Sequence, residues 1–228
     1  MKKFQFLLEG NPTMNKGIAY NGYYKEFYNN RNYHHYTHLL SYIISHSSPG
    51  RILDIGCGEG FFLELADKWG IPCDGIEGSE EAIQSCNLRI PHINVQKHLL
   101  SEQLPFSNSS FQTILINQVI EHLEPGIAQN TLAESYRILK KGGMIYITSP
   151  SKFNKDEIVA DPTHINMYSP KELQNLVLST GFINPIHINY SLNFLGNSFL
   201  GKKVANRVFR LLKCGQLSAT ANIIAFKV

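Results

Sequence analysis

The stretch "RILDIGCGEGFF", residues 51–62, places a short apolar run directly before three alternating glycines. The run predicts a short buried strand that ends at Ile55, and the apolar spacing after Gly60 predicts a helix. Glycine is favoured where the backbone takes a positive φ or lies against a ligand. Gly56, Gly58 and Gly60 therefore predict a ligand-binding turn at the carboxyl end of the strand. An ordinary strand-to-helix turn is the alternative, because a G-x-G pattern alone is weakly specific.

Strands and helices alternate downstream of this turn, which predicts a mainly parallel sheet with right-handed crossovers. Ser79 is a candidate N-cap for the helix after the second strand. The helix "GIAQNTLAESYRILKKGG" is expected to carry Lys140 and Lys141 at its C-terminus. Two β-type segments, near 183–190 and 219–228, predict an antiparallel edge on the same sheet.

The composition fits a globular domain. The 228 residues are 43% hydrophobic and 17% charged, with a formal net charge of +3, which does not by itself indicate a nucleic-acid partner. The four cysteines show no C-x-x-C spacing, which argues against a zinc site and a disulfide framework. No run approaches the roughly 18 apolar residues of a membrane helix, and the first residues lack a signal-peptide core. We therefore expect a soluble, cytoplasmic protein with no nucleic-acid partner.

Two acidic residues and a missing glycine narrow the choice of ligand. A dinucleotide-binding turn has a third glycine where this chain has Phe61. A carboxylate at Asp54 would repel a pyrophosphate but would suit a cationic group. Glu77 ends the second strand, near the spacing at which an acid accepts hydrogen bonds from both ribose hydroxyls; a solvated loop acid or a helix cap is the alternative. The implied ligand is a nucleoside that carries a positive charge.

Five segments, in this order, resemble the class I S-adenosylmethionine-dependent methyltransferases: "ILDIGCGEG", "GIEGSEEAI", "LPFSNSSFQTILINQVIEHL", "ESYRILKKGGMIYITSP" and "DPTHINMYSPKELQNLVLSTGF". The similarity is to the subgroup that includes ubiquinone-biosynthesis and antibiotic or sugar methyltransferases, and it covers roughly residues 50–185. It implies an α/β fold with a Rossmann-like, doubly wound sheet of seven strands, mostly parallel, with one antiparallel strand near the C-terminus. It also implies S-adenosylmethionine as the methyl donor and S-adenosylhomocysteine as the product.

The resemblance further implies cofactor contacts. Asp54 would hold the methionine ammonium, and Glu77 would take the ribose hydroxyls. The other residues implied to line the cofactor are Gly56, Cys57, Gly58, Gly60, Gly78, Asn117 and Gln118. Where the subgroup often has an aspartate against the adenine amino group, the best-matching position here is Leu99. We expect an apolar contact from Leu99 and the Leu100 backbone N–H to replace it.

Candidate catalytic residues follow from the chemistry of methyl transfer. A base is needed only when the acceptor arrives protonated, and histidine suits that role near neutral pH. We predict a small-molecule acceptor with an oxygen nucleophile and a base at His122, after the fourth strand, or at His164, on the loop after the fifth. Structural alternatives are a turn cap for His122 and a hydrogen bond with Asp161 for His164. Glu121 could orient either ring. The alternative functions are a noncatalytic S-adenosylmethionine-binding or regulatory module and an NAD-dependent oxidoreductase, which Asp54 disfavours.

Residues 1–46 are predicted to form a tyrosine-rich helical extension or lid, and residues 47–228 the methyltransferase domain. Tyr20, Tyr24 and Tyr28 are predicted to line the acceptor site, with simple packing on the sheet as the alternative. From Tyr33 the spacing predicts a helix whose apolar face comprises Tyr36, Leu39, Leu40, Ile43 and Ile44.

Two further sequence patterns are compatible with a binding site but also have a simpler structural explanation. His34 and His38 have the i, i+4 spacing of helical metal ligands but no nearby acid, so we expect no metal site. The basic amphipathic stretch 194–213 is compatible with peripheral contact to an anionic membrane surface, and an ordinary surface helix is the simpler explanation.

Overall fold

A single seven-stranded sheet organises the chain. The computed structural model describes residues 33–188 and 218–228. The predictions for Tyr20, Tyr24, Tyr28 and the stretch 194–213 lie outside the described residues.

Helices and strands alternate as the sequence predicted. The helices are α1 Tyr33–His46, α2 Phe61–Lys68, α3 Glu80–Arg89, α4 Pro125–Ile138, α5 Lys155–Ala160 and α6 Pro170–Ser179. The strands are β1 Ile52–Ile55, β2 Cys73–Glu77, β3 Val95–Lys97, β4 Phe111–Asn117, β5 Leu139–Thr148, β6 Ile183–His187 and β7 Ile223–Phe226. One 3-10 turn, Ile120–His122, follows β4.

The strand order is β3-β2-β1-β4-β5-β7-β6. β1 pairs in parallel with β2 on one side and β4 on the other, so the chain reverses its direction of winding at β1. Ligands of such sheets bind outside the carboxyl ends of the strands at this reversal. β7 is antiparallel to both of its neighbours, β5 and β6. The predicted sheet, mostly parallel with one antiparallel strand near the C-terminus, is confirmed.

The core has two halves, one on each face of the sheet. Alternate residues of β4 divide between them: Ile114 and Ile116 pack on the side of α4 and α6, while Leu115 packs on the side of α1, α2 and α3. All three side chains have no exposed surface. A strand that is apolar on both faces has to lie inside the sheet, which explains the continuous apolar run "TILI".

Local capping signals account for where the helices begin. The Ser79 hydroxyl accepts a hydrogen bond from Ala82 N at the start of α3. Ser169 and Glu172 form a reciprocal capping box at the start of α6. No helix in the described part of the chain combines the length and apolarity needed to cross a membrane.

Two predictions about local structure are wrong. Ile44 is 49% exposed, so the apolar face of α1 is narrower than predicted and comprises Tyr36, Leu39, Leu40 and Ile43. Lys140 and Lys141 do not end a helix, because α4 stops at Ile138 and both lysines lie in β5. Leu139 is fully buried and pairs with Phe111 of β4, which draws the backbone into the sheet directly after the helix.

The glycine that begins α2 offers a test of this packing. Gly60 has φ +76°, and a Cβ there would lie 2.4 Å from Cys86 Sγ, whereas Gly70 has φ +67° with nothing within 4 Å. We expect Gly70→Ala to lower the free energy of unfolding by about 1–2 kcal/mol through backbone strain. Gly60→Ala should cost about 1–3 kcal/mol more, because the methyl group overlaps the thiol. Urea unfolding measures both, and equal losses would contradict the proposed overlap.

Candidate functional site

The glycine turn forms a fixed backbone cradle at the carboxyl end of β1. All three glycines have positive φ: 71° at Gly56, 54° at Gly58 and 76° at Gly60. The N–H groups of Gly56 and Cys57 both donate to Ile76 O, at 2.8 and 3.1 Å, which ties the turn to β2. A Cβ on Gly56 would lie 2.5 Å from Val119 Cγ2, so the turn also packs closely on the chain after β4.

The Glu77 carboxylate holds this cradle together. One oxygen accepts a hydrogen bond from Gly58 N at 2.9 Å, and the other accepts from Gly78 N and Ser79 N at 2.8 and 2.9 Å. Glu77 is 6% exposed, which excludes the solvated loop acid that the sequence left open. The carboxylate does contact the first residues before α3, so part of the capping alternative is correct. Its two oxygens are fixed at the place where the sequence predicts a ribose diol.

Asp54 is a buried acid one residue before the end of β1. Its side chain is 3% exposed, and the described residues provide no hydrogen bond to its carboxylate. Burial raises the pKa of Asp54 well above its ordinary value, and the nearby charges of Glu77 and Cys86 raise this pKa further. A carboxyl group in this position gains most from a cationic partner, since a positive charge would offset the cost of its ionisation.

The Cys57 side chain points away from the cradle into the core. Its sulfur would lie 2.7 Å from a Cβ placed on Gly75 of β2, and the residue is 8% exposed. A side-chain hydrogen bond with Cys86, together with burial, raises the pKa of the Cys57 thiol above its usual range. A ligand in the cradle would therefore meet the backbone of Cys57 and not its thiol.

The segment after β3 carries the predicted adenine contacts. Leu99 and Leu100 are both half-buried, and Leu100 packs against the core. His98, which the sequence analysis did not single out, donates its backbone N–H to Glu77 O at 2.9 Å. Its Nε2 atom is buried and lacks a hydrogen-bond partner among the described residues. The sequence signal for this position was a histidine directly after β3.

A hydrogen-bond network spans the carboxyl ends of β4 and β5. The Thr148 hydroxyl donates to Asn117 Oδ1 at 2.6 Å, and Gln118 N donates to Thr148 O at 2.9 Å. Gln118 has φ +58°, an uncommon conformation for a residue other than glycine, and such strain concentrates at functional sites. Because its N–H is used inside the sheet, a ligand would meet the Gln118 carbonyl. His35 Nε2 of α1 lies 3.2 Å from Asn117 Oδ1 and brings that helix to this edge.

The two candidate catalytic histidines lie side by side. The ring centroids of His122 and His164 are 4.8 Å apart. His122 Nδ1 lies 3.1 Å from Thr163 O, and His164 Nε2 lies 3.4 Å from Asp161 Oδ2. The structure thus brings together the 3-10 turn after β4 and the loop between α5 and α6. The predicted His164–Asp161 contact is present, and Thr163 is a partner that the sequence analysis missed.

Glu121 completes this group of polar side chains. It is fully buried, and one ligand atom each from Glu121, His122 and His164 lies within 4.8 Å of the others. The turn that carries Glu121 begins directly after Val119, the residue that packs on Gly56. The group formed by Glu121, His122 and His164 therefore lies next to the glycine cradle, because Val119 packs against Gly56.

Residues 24–184 match a family model described as a methyltransferase domain. A protein of Mycolicibacterium smegmatis named "Probable S-adenosylmethionine-dependent methyltransferase" is 27% identical over 61% of this chain and 54% of its own length. The ubiquinone biosynthesis O-methyltransferase of Pelagibacter ubique is 26% identical over 48% of this chain and 46% of its own length. The chain spans about half the length of these curated relatives.

Solved structures show the same architecture. The crystal structure of a SAM-dependent methyltransferase from Archaeoglobus fulgidus superposes with a TM-score of 0.65 at 26% identity, covering 84% of this chain and 92% of that one. Phosphoethanolamine N-methyltransferase 2 from Haemonchus contortus, solved with S-adenosyl-L-methionine, superposes with a TM-score of 0.64 at 18% identity, covering 85% of this chain and 52% of that one. The second similarity concerns the fold alone.

Asp54→Asn tests whether the buried acid opposes folding when no ligand is present. Because its pKa is raised in the folded state, ionisation of Asp54 destabilises the protein as pH rises above the ordinary aspartate pKa of about 3.9. We expect the variant to gain about 1–3 kcal/mol of unfolding free energy at neutral pH, and the gain should vanish near about pH 3, where the carboxyl is protonated in both states.

Urea unfolding at both pH values makes this measurement. Asp156→Asn is the matched control, since Asp156 is exposed in α5 and should show no stabilisation that grows with pH. If the Asp54→Asn protein is less stable than the native protein at neutral pH, the ionised Asp54 carboxylate does not oppose folding.

Proposed function

This chain belongs to the S-adenosylmethionine-dependent methyltransferase family, and we propose that it transfers the donor methyl group to an oxygen atom of a small molecule. The observation that carries the proposal is the buried Asp54 carboxyl, which lies directly before a glycine turn held by Glu77. A buried acid at this point of the sheet has no evident structural use, but it matches a positively charged nucleoside.

The residues present fit S-adenosylmethionine. Asp54 would face the positively charged methionine end, and the Gln118 carbonyl would accept a hydrogen bond from the ammonium group. Glu77 would accept hydrogen bonds from the ribose hydroxyls, and its carboxylate is already oriented by three backbone N–H groups. The adenine would lie toward Leu99 and Leu100, where the buried His98 Nε2 offers a polar contact.

When bound, S-adenosylmethionine supplies an electrophilic methyl group on a sulfonium. Binding the acceptor in line with that methyl group can provide much of the acceleration. Glu121 and His122 lie on the 3-10 turn that follows β4, and the His164 ring lies beside His122, so we assign all three to the acceptor side. An acceptor hydroxyl has to lose a proton, and this group of side chains is where we place that step, as the sequence-level hypothesis of a histidine base requires.

An oxygen acceptor is supported by the names of some relatives. The ubiquinone biosynthesis O-methyltransferase of Pelagibacter ubique is named for transfer to oxygen. Glu121 is buried and both His122 and His164 are half-buried, so an acceptor has to reach between the two loops to contact them.

Cofactor binding tests the first part of the proposal. We expect S-adenosylmethionine to bind the purified chain in isothermal titration calorimetry, and NADH not to bind. Glu77→Gln should weaken cofactor binding by about 10–150-fold, the loss of one hydrogen bond to a charged group. Glu80→Gln is the matched control, because Glu80 is exposed on α3. Tight NADH binding, or equal cofactor affinity in the Glu77→Gln and native proteins, would argue against this site.

Turnover tests the second part. Formation of S-adenosylhomocysteine is measured against a panel of small hydroxylated molecules, phenols and catechols included. His122→Ala should lower kcat by about 10²–10⁴-fold while cofactor affinity is unchanged. His92→Ala is the control, since His92 is exposed and pairs with Asp67 at a distance from the cradle. Cofactor binding without turnover on any member of the panel would favour a noncatalytic binding module.

A further inference from the structure

We propose that Glu121, His122 and His164 bind one divalent transition-metal ion, with Zn²⁺ as the representative, on the acceptor side of the methyltransferase site. The binding itself is inferred from the geometry of these three residues, and only its use in catalysis rests on the proposed function. The proposal departs from the sequence-level expectation of no metal site, which considered His34 and His38.

The three residues converge from two separate segments. Glu121 and His122 lie on the 3-10 turn after β4, and His164 lies on the loop between α5 and α6. Asn166 fastens the two segments together, because its backbone N–H donates to Glu121 O at 3.0 Å and its side chain donates to Leu123 O at 3.2 Å. One ligand atom from each of the three residues lies within 4.8 Å of the others.

This spacing is close to that of a formed site. Zinc holds nitrogen and oxygen ligands at about 2.0–2.2 Å, which places tetrahedral ligand atoms about 3.3 Å apart. The three side chains would therefore have to close by at most about 1.5 Å, which small side-chain rotations can supply. The backbone hydrogen bonds between the two segments need not change.

The polar contacts around the two histidine rings resemble those of metal ligands. A histidine bound to a metal generally donates its other ring N–H to a carboxylate or a backbone carbonyl. His164 Nε2 lies 3.4 Å from Asp161 Oδ2, and His122 Nδ1 lies 3.1 Å from Thr163 O. Asp161 is itself held, because its other oxygen accepts hydrogen bonds from the backbone N–H and the hydroxyl of Thr163.

One ring nitrogen of His164 has no partner among the described residues. His164 Nδ1 is buried and has no hydrogen bond within residues 33–188 and 218–228, and the His164 side chain is 6% exposed. A buried polar atom left unsatisfied costs about 1–3 kcal/mol. With Nε2 facing Asp161, Nδ1 can act as a lone-pair donor, and a metal ion would remove this cost. His122 would coordinate through Nε2, since its Nδ1 faces Thr163.

The donor set selects the class of ion. Two imidazoles and one carboxylate suit Zn²⁺, Mn²⁺, Fe²⁺ or Co²⁺, whereas Mg²⁺ and Ca²⁺ prefer oxygen ligands alone. Three protein ligands leave coordination positions open, as in catalytic metal sites. Because His122 is half-buried, those positions can be reached from the acceptor side.

The chemical use of the ion follows if the proposed function holds. An acceptor hydroxyl that reaches the ion releases its proton to water more readily. The oxygen then forms a bond to the methyl carbon while the carbon–sulfur bond breaks and sulfur keeps the electron pair, giving S-adenosylhomocysteine. The ion would take over the task that the sequence analysis gave to a free histidine base.

Metal titration tests the inference without any turnover assay. The full chain, stripped with EDTA and dialysed, is titrated with ZnCl₂ by calorimetry and with Co²⁺ by visible absorption. We expect one ion per chain at this site. His164→Ala should weaken its binding at least 100-fold, and Asp161→Asn should weaken it about 10–100-fold by releasing the His164 ring. His92→Ala removes a surface histidine paired with Asp67 and should leave binding unchanged.

S-adenosylmethionine titration of the same variants shows whether the fold and the cradle are intact. Failure of the stripped chain to bind Zn²⁺ and Co²⁺, or equal binding by His164→Ala, overturns the metal site even if the cofactor binds. If the native chain binds the metal ion but does not bind S-adenosylmethionine, the proposed function is overturned and the metal site is not.

Discussion

Three backbone N–H groups converge on the Glu77 carboxylate, and the geometry of the site depends on this contact. Gly58 belongs to the turn after β1, while Gly78 and Ser79 lead from β2 into α3. One side chain therefore fixes two strand-to-helix turns relative to each other. Hydrogen bonds to an ionised acceptor are stronger than those between neutral groups, and burial strengthens them further. The cradle is in place before any ligand arrives.

The same arrangement buries a second acid, Asp54, at a position where its negative charge lowers the stability of the fold. Asp54 is buried near Glu77, and their like charges add to the desolvation that already raises the pKa of Asp54. Such a position is poor for folding and good for attracting a cation, a trade-off common at functional sites. If Asp54 contacts the ammonium group of the donor, as we propose, that positive charge offsets both the burial of the Asp54 carboxylate and its repulsion by Glu77.

Much of the fold could be predicted because its signals are local. The glycine turn, the Ser79 cap and the apolar run of β4 each follow from neighbouring residues. The failures have tertiary causes. Leu139 joins β5 directly after α4 because Phe111 pairs with it, and nothing within the helix itself indicates this. The exposed Ile44 shows that periodicity predicts a face of a helix more reliably than the width of that face.

The site was predictable in its parts and less so in its assembly. Asp54 and Glu77 lie at the carboxyl ends of the first two strands, so their spacing from the glycine turn was enough to single them out. His122 and His164 were both singled out as candidates, yet their ring contact depends on two loops that meet only in the folded chain. Thr163 and Asn166 join those loops, and although both lie in a segment that resembles the family, nothing in that segment indicates which residues they contact.

The position of β7 has a consequence for synthesis of the protein. β7 lies between β5 and β6 but follows both in the chain, with Ile223, Ile224 and Ala225 fully buried. While the ribosome is still adding the residues before it, the edge of β5 has no neighbour on that side, and its Tyr146 and Ile147 lack their partners. An open apolar strand edge invites pairing with other chains. A nascent or refolding chain in which β7 has not yet paired with β5 therefore exposes a strand edge that can associate with other chains.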